Sequence, residues 1–198
     1  MIELPQVTLI TLSGVDYMPT DHLLALKRSQ KGIKFGAVKY VQLSEIVDLG
    51  SYSRAMIYEL PKYVDTEYCL TVQADGWVIN PELWNDEWLK YDYIGAPWPV
   101  PSDPISYRDK DGVLRRVGNG AVSLRSQRLL RAGKLNKWES FYGFDNEDGF
   151  ICVNKVHVYE AAGCKIAPLE VAKYFSKEIE IPENKGLKTF AFHKYIYD

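Results

Sequence analysis

Short apolar runs alternate with amphipathic segments through the first half of the chain, and this alternation limits the possible folds more than any other feature. The run Val7–Leu12 is typical of a strand that is buried on both faces. Three more strands are predicted at Ala37–Leu43, Tyr68–Val72 and Tyr93–Ala96. Helices are predicted between the strands, capped by Thr20 or Asp21, by Ser51 or Ser53, and by Asn80 ahead of Pro81. This order predicts an α/β fold with a mostly parallel central sheet and flanking helices.

The second half of the chain is less regular. Closely spaced prolines predict a long loop from Pro97 to Gly112, and loops of that length are usually functional or mobile. Short strands are predicted at Val113–Val117 and Ala121–Leu124, helices from about Gln127 and Glu147, and late strands at Lys165–Pro168 and Thr189–Phe192. We therefore expect a single domain over residues 1–198, with a regular half (1–97) and a mixed half (98–198).

The charge balance excludes several classes of partner. The 24 Lys and Arg residues against 26 Asp and Glu residues give a net charge of −2, so there is no broad basic field for nucleic acid or anionic lipid. No segment resembles a signal peptide or is apolar over a length that spans a bilayer. The three cysteines, Cys69, Cys152 and Cys164, form no CxxC pair, so we expect buried thiols in a reducing compartment and a cytoplasmic location.

Three acidic residues occupy positions where chemistry is plausible. Asp75 follows the predicted strand Tyr68–Val72, and open α/β sheets bind ligands beyond the carboxyl ends of their strands. A turn that needs an aspartate explains it equally well. Glu147 and Asp148 precede an apolar helical pattern. Acids there satisfy the free N–H groups of the first turn, but a carboxylate at a rigid helix start can also act as a general base.

Several other polar positions likewise have both a structural and a functional explanation. His193 is either an ordinary imidazole or, with one carboxylate, diphosphate oxygens and water, a ligand for Mn²⁺ or Mg²⁺. Gly118-Asn119-Gly120 predicts either a tight hairpin turn or a backbone that passes close to a ligand. Arg54, in the first turn of a predicted helix, opposes the helix dipole and suggests an anionic partner, although Glu59 or solvent also explains it. Rossmann, P-loop, GxSxG and HExxH motifs are absent from the sequence.

Together these motifs resemble GT-A-type glycosyltransferases. Gln73-Ala74-Asp75, Gly118-Asn119-Gly120, Glu147-Asp148 and His193 follow one another in the order found in that fold. The strings Leu70–Gly76, Tyr91–Trp98 and Gly118–Arg125 closely resemble a family of poorly characterised GT-A-like proteins from bacteria and large DNA viruses. The chain also resembles the N-terminal domain of chlorovirus capsid-glycan glycosyltransferases. The resemblance extends from Val7 to His193. It implies one GT-A-like domain with a nucleotide-sugar half (1–97) and an acceptor half (98–198).

The resemblance also implies roles for individual residues. Asp75 and His193 are implied to hold Mn²⁺ or Mg²⁺, whereas Gln73 stands where the first acid of a DxD motif is expected, so one ligand or ribose contact is altered. The implied nucleotide-binding residues are Thr11, Leu12, Ser13, Arg54, Gln73, Ala74 and Asp75. The implied donor- and acceptor-binding residues are Trp98, Gly118, Asn119 and Gly120. Asp148, with Glu147 as the alternative, is implied to deprotonate the acceptor hydroxyl.

The activity implied is transfer of a sugar from a nucleotide sugar, favoured to be a UDP-sugar, to a hydroxyl of a glycan or glycoprotein. A carboxylate base favours inversion by a single metal-assisted displacement, and retention is left open. A sugar nucleotidyltransferase is disfavoured because Ser13-Gly14 does not begin a basic, glycine-rich phosphate loop. A non-catalytic glycan- or nucleotide-binding module is favoured by Gln73 and disfavoured by the retained acids and His193.

Overall fold

The computed structural model describes residues 1–16, 19–140 and 145–194. Its strands are β1 Ile2–Gly14, β2 Ile33–Leu43, β3 Tyr68–Thr71, β4 Gly76–Val78, β5 Tyr93–Pro97, β6 Val117–Ser126, β7 Ser176–Lys177 and β8 Ala191–His193. Its helices are α1 Pro19–Ser29, α2 Leu49–Tyr58, α3 Gln127–Lys134, α4 Glu147–Gly149, α5 Val156–Ala161 and α6 Leu169–Phe175. Short 3₁₀ turns occupy Leu60–Lys62, Pro81–Leu83 and Asp86–Lys90, and a π-helical turn, Phe150–Asn154, continues α4. No helix within these residues has the length and apolar character needed to span a membrane.

The main sheet has five strands in the order β2-β1-β3-β6-β5. Strand β1 pairs in parallel with β2 and β3, whereas β6 is antiparallel to both β3 and β5. Four of the five strands therefore run in one direction, which confirms the predicted mostly parallel α/β fold. A small second sheet, β4-β8-β7, lies beyond the carboxyl end of β3.

Strand β1 is buried on both faces because its alternate side chains pack on different helices. Val7 and Leu9 pack in one apolar cluster with Ala25 of α1. Ile10 and Leu12 point to the opposite face and pack in another cluster with Met56 of α2. Because apolar side chains are buried on both faces, the strand appears in the sequence as a continuous apolar run.

Helix α2 begins earlier than predicted, and this changes the setting of Arg54. Its N-cap is Asp48, whose carboxylate accepts a hydrogen bond from Ser51 N at 2.7 Å, while the Ser51 hydroxyl accepts from Asp48 N at 3.0 Å. The predicted caps Ser51 and Ser53 therefore lie inside the helix. Arg54 falls in the second turn, so it does not oppose the dipole in the way that the sequence suggested.

The predicted helix after Asn80 is instead two 3₁₀ turns. The Asn85 side chain accepts a hydrogen bond from Glu87 N and starts the second turn, which interrupts any continuous helix. Trp84 and Trp88 pack edge-on against each other, and both rings contact Phe190. Aromatic packing and local capping thus outweigh the helical pattern. Among the late elements, α6 was not predicted, and Lys165–Pro168 contributes only an isolated bridge between Ile166 and Tyr93.

Gly118-Asn119-Gly120 does not form a hairpin turn; it lies within the single strand β6. The prediction of two strands, Val113–Val117 and Ala121–Leu124, was therefore wrong. A Cβ on Gly118 would lie 2.0 Å from the Trp98 ring, and one on Gly120 would lie 2.5 Å from Glu147 Oε1. The glycines are thus explained by close packing against neighbouring side chains, which a local pattern cannot distinguish from a turn.

We expect Gly118→Ala to destabilise the protein by about 1–3 kcal/mol, because the new methyl group must displace the indole of Trp98. Gly149→Ala is a matched control, since its backbone is helical (φ −62°) and the nearest atoms to its Cβ lie 4.0 Å away. Urea unfolding of both variants measures the difference. Equal midpoints for Gly118→Ala and the wild type would contradict the packing explanation.

Candidate active site

Asp75 lies at the tip of a tight turn at the carboxyl end of β3. Gln73 and Gly76 close this turn with two backbone hydrogen bonds of 3.1 Å. A Cβ on Gly76 would lie 2.9 Å from Phe192 O, so glycine allows β4 to lie against β8. The Asp75 side chain keeps 52% of its surface exposed. The turn therefore presents a carboxylate to solvent at the edge where such sheets bind ligands.

His193 joins Asp75 to a second carboxylate. Its Nε2 lies 3.3 Å from Asp75 Oδ1, and its Nδ1 lies 3.1 Å from Glu178 Oε1. Burial disfavours a charged imidazole, but the two carboxylates outweigh burial and raise the pKa of His193. The hydrogen bond to His193 in turn lowers the pKa of Asp75. The cluster therefore combines two negative groups with one imidazole that readily becomes positive.

Asn119 connects this cluster to strand β6. Its side-chain amide donates a hydrogen bond to Glu178 Oε2 at 2.6 Å. Its Oδ1 atom is buried and has no hydrogen-bond partner within the described part of the chain. A buried carbonyl oxygen without a partner is costly, so this atom is a candidate acceptor for a hydroxyl or amide group of a ligand.

Glu147 and Asp148 are adjacent in sequence but have different surroundings. Glu147 Oε1 lies 2.7 Å from the guanidinium of Arg125, which is fully buried at the end of β6. Arg125 also donates to Ser123 Oγ at 2.9 Å. Because Glu147 is committed to this buried ion pair, it is a poor candidate for a base that must exchange protons with a substrate.

Asp148 is the better candidate for the base. Its carboxylate accepts hydrogen bonds from Gly120 N at 3.1 Å and from Gly149 N at 2.6 Å. Burial, followed by the negative charge of Glu147, raises the pKa of Asp148 to about 7. A carboxylate with a pKa near neutrality is basic enough to accept a proton from a hydroxyl group during reaction.

The predicted nucleotide-binding residues lie along the same edge, with one exception. Thr11 Oγ1 lies 3.0 Å from His22 Nδ1, and Ser13 Oγ lies 2.9 Å from Tyr40 OH. The Leu12 side chain is buried in the core, and Ala74 shares the exposed turn with Asp75. The remaining residues of the prediction are Gln73, which donates to Tyr52 OH at 2.8 Å, and Arg54.

Arg54 is the exception, because its guanidinium is exposed on α2. It lies beside Gly50, as does the carboxylate of Asp145. Tyr52, two residues earlier on the same helix, faces Gln73. Residues two apart on a helix point in roughly opposite directions, so the structure does not bring Arg54 to Asp75.

Trp98 lies against the glycine-containing end of strand β6. Its ring stacks on Tyr107 with 4.7 Å between centroids and 8° between planes. Gly118 lies directly against the indole. The structure therefore brings Trp98 against Gly118, next to Asn119 and Gly120 on the same strand.

Several residues of the site were missed from the sequence. Glu178 follows the two-residue strand β7, where no motif marks it. His22 lies within α1, where no motif marks it, yet it is buried beside Thr11, and burial lowers its pKa against the opposing charges of Asp21 and Asp75. Arg125 carried a usable signal, because a charged residue at the end of an apolar strand needs a buried partner.

Asp75 and His193 fit a divalent cation as a pair of ligands. In an octahedral site with bonds of about 2.1 Å, neighbouring ligands lie about 3 Å apart, close to the separation of these two groups. The described residues contain no group of three or more metal-ligating side chains, so a bound diphosphate and water would supply the other positions. A metal would compete with a proton for His193 Nε2.

Comparison with known proteins identifies the class of fold. The structure is similar to that of a glycosyltransferase involved in the glycosylation of the major capsid of PBCV-1, with a TM-score of 0.59 and 12% identity over 96% of this chain and 94% of the other. At this identity the similarity establishes a glycosyltransferase-like α/β fold and nothing finer. The structure of A197 from STIV is similar at a TM-score of 0.42 and 13% identity, over 81% of this chain and 80% of the other.

The family follows from the sequence itself. Residues 38–193 match the profile of DUF5672, described as a protein of unknown function. The chain belongs to this family. No curated protein is similar enough in sequence to match the chain.

We expect Glu147→Gln to lower the free energy of unfolding by about 3 kcal/mol, because it leaves the buried charge of Arg125 uncompensated. The double variant Arg125→Met, Glu147→Leu should recover most of that loss. Guanidinium unfolding measures both, with Glu160→Gln at the exposed Arg115 pair as the control. If Glu147→Gln unfolds at the same denaturant concentration as the control, the ion pair has no structural importance.

Proposed function

We propose that this protein is a glycosyltransferase that moves a sugar from a nucleotide sugar, a UDP-sugar by resemblance, to a hydroxyl group of a glycan. One observation carries the proposal. Strand β6 places Asn119 against the Asp75–His193–Glu178 cluster and the next residue, Gly120, against Asp148. The candidate diphosphate site and the candidate base therefore contact two consecutive residues of one strand.

The donor would bind at the carboxyl ends of β1 and β3. Thr11, Leu12 and Ser13 end one strand, and Gln73 and Ala74 follow the other, so the nucleotide would lie between them. Asp75 and His193 would hold Mn²⁺ or Mg²⁺, which when bound supplies positive charge to the diphosphate. Where no metal is bound, a protonated His193 can supply positive charge instead, since its pKa is raised.

Asp148 would act on the acceptor. Its carboxylate removes the proton from the acceptor hydroxyl while the oxygen of that hydroxyl bonds to the anomeric carbon. The bond from the anomeric carbon to the diphosphate oxygen breaks, and its electron pair leaves with the nucleoside diphosphate. Attack from the face opposite the leaving group inverts the anomeric centre.

The biological setting that we propose follows from two further observations. Cys69, Cys152 and Cys164 are free and buried, which suits a cytoplasmic protein, or the host cytoplasm for a viral chain. The PBCV-1 protein with the similar fold is involved in the glycosylation of the major capsid. We therefore propose a protein-linked glycan as the acceptor. For a viral chain, the proposed role is capsid glycosylation.

A non-catalytic binding module is the second candidate. It is favoured by Gln73, which replaces an expected acid and whose amide donates to Tyr52 OH. Such a module would bind nucleotide or glycan without turnover, and the variants below distinguish the two functions.

We expect Asp148→Asn to lower kcat about 10²–10⁴-fold, because the amide cannot accept the proton, with nucleotide binding kept. In the wild type, kcat/KM should rise with pH through about 7, since the deprotonated carboxylate is the active form. Transfer rates between pH 5.5 and 8.5 check both expectations. Asp145→Asn, nearby but outside the Gly120 contact, is the control. Wild-type turnover by Asp148→Asn would remove it from the role of base.

We expect Asp75→Asn to abolish the part of nucleotide binding that depends on metal. A ligand at 100 times its Kd stabilises the folded state by about 2.7 kcal/mol, which a thermal shift detects. The panel consists of nucleoside diphosphates and nucleotide sugars, each with and without Mn²⁺. Asp65→Asn, in an exposed pair with Lys39, is the control. An unchanged Mn²⁺ titration for Asp75→Asn would overturn the assignment of this residue.

A further inference from the structure

A cavity of about 370 Å³ opens between the long loop and the start of α4. Its apolar walls include Trp98, Tyr107, Phe150 and Val153. The volume lies within the range of about 300–1,000 Å³ that small-molecule sites occupy. The cavity therefore has room for a small organic ligand.

Tyr107 is held rigidly at this cavity. Its ring stacks on Trp98, and its carbonyl accepts a hydrogen bond from Arg115 N at 2.7 Å. Its backbone has φ 57°, a left-handed conformation that costs a tyrosine about 1–3 kcal/mol and persists only where neighbours impose it. Flat aromatic rings fixed in this way suit a ligand that has both an apolar face and polar edges.

The polar groups of the cavity are acids and hydrogen-bonding neutral groups. Asp103, Ser106, Glu139 and Asn146 line it, and no lysine or arginine occurs among its described lining residues. Asp103 Oδ1 accepts from Ile105 N at 2.8 Å and from Ser106 N at 2.7 Å, and the Ser106 side chain also hydrogen-bonds to the Asp103 carboxylate. Glu139 pairs with Lys155 at 2.7 Å. The local charge disfavours phosphate, sulfate and carboxylate groups.

The cavity adjoins the chain neighbours of the candidate base, and Asp148 itself is not among its described lining residues. Asn146 and Gly149 line it and flank Asp148 in the chain, and Gly149 N donates to the Asp148 carboxylate. On the far side, Trp98 lies against Gly118, two residues before the Gly120 contact of Asp148. Burial, followed by the negative charge of Asp148, raises the pKa of Tyr107, so this ring of the cavity wall lies within electrostatic reach of the Asp148 carboxylate.

We infer that this cavity binds a neutral saccharide, with the apolar face of one sugar ring against Tyr107, and that this sugar presents the accepting hydroxyl to Asp148. The identification of the sugar as the acceptor rests on the proposed function. The prediction that the cavity binds a neutral sugar, and not a phosphorylated, sulfated or uronic acid sugar, follows from the lining residues alone.

Direct binding tests the inference without any donor. The neutral probes are methyl and p-nitrophenyl hexosides, deoxyhexosides and pentosides. The acidic set consists of p-nitrophenyl glucuronide and hexose 1-phosphates. Calorimetry measures the binding of each probe. Gly149→Leu should place its side chain in the cavity, because Gly149 is helical and its Cβ would meet only Asn146, at 4.0 Å. Gly149→Ala is the matched control.

We expect at least one neutral glycoside to bind the wild type and Gly149→Ala, and to bind Gly149→Leu at least tenfold more weakly. Tyr107→Asn should also weaken binding, and asparagine tolerates the left-handed backbone at this position. This variant keeps the inference testable if Gly149→Leu misfolds. Equal affinity for Gly149→Leu and Gly149→Ala, tighter binding of the acidic set, or no binding of any neutral glycoside would each overturn the inference.

The same variants separate this inference from the proposed function. The thermal shift with UDP and Mn²⁺ reports on the donor site alone and should be equal in Gly149→Leu and Gly149→Ala. A UDP shift without glycoside binding keeps the proposed transferase and removes the cavity as its acceptor site. Glycoside binding blocked by Gly149→Leu, with no nucleotide shift in the wild type, keeps the saccharide site and removes the transferase.

Discussion

The ion pair between Arg125 and Glu147 holds the start of α4 against the end of β6. Both groups are buried, and Arg125 is fixed further by Ser123, whose hydroxyl lies 2.7 Å from Thr71 Oγ1 of β3. The arrangement of Asp148 depends on this pair, since it occupies the next position in the chain. The charge of Glu147 also helps to raise the pKa of Asp148. A buried ion pair adds little net stability, so its importance here is to specify one geometry.

Strand β6 brings the two halves of the chain to a common edge. It lies between β3 and β5, both from the first half, and runs antiparallel to them. Its amino end therefore meets the carboxyl end of β3, where Asp75 lies. Glycine at positions 118 and 120 lets Trp98 and Glu147 approach the strand closely, while Asn119 keeps a side chain for Glu178.

Much of the framework could be predicted because it depends on local patterns. The apolar runs indicated β1, β2, β3 and β5, capping residues indicated helices close to α1 and α2, and a helix was expected from about Gln127, where α3 begins. The glycines of β6 were consistent with a turn, because a tight turn and a close packing contact both favour glycine. Glu178 could not be found, since only the pairing of β7 with β8 brings it to His193. The choice between Glu147 and Asp148 likewise needed the position of Arg125.

The insertion of β6 between β3 and β5 also governs the order in which this chain can fold. Among the described strands, β5 pairs in the main sheet with β6 alone, so residues 93–97 remain without this partner until residues 117–126 have been synthesised. Non-local pairing of this kind slows folding, because a long loop must close before its contacts form. A nascent chain that ended after β5 would expose an apolar strand edge, and β6 covers that edge before Asp148, Glu178 and His193 of the site have been synthesised.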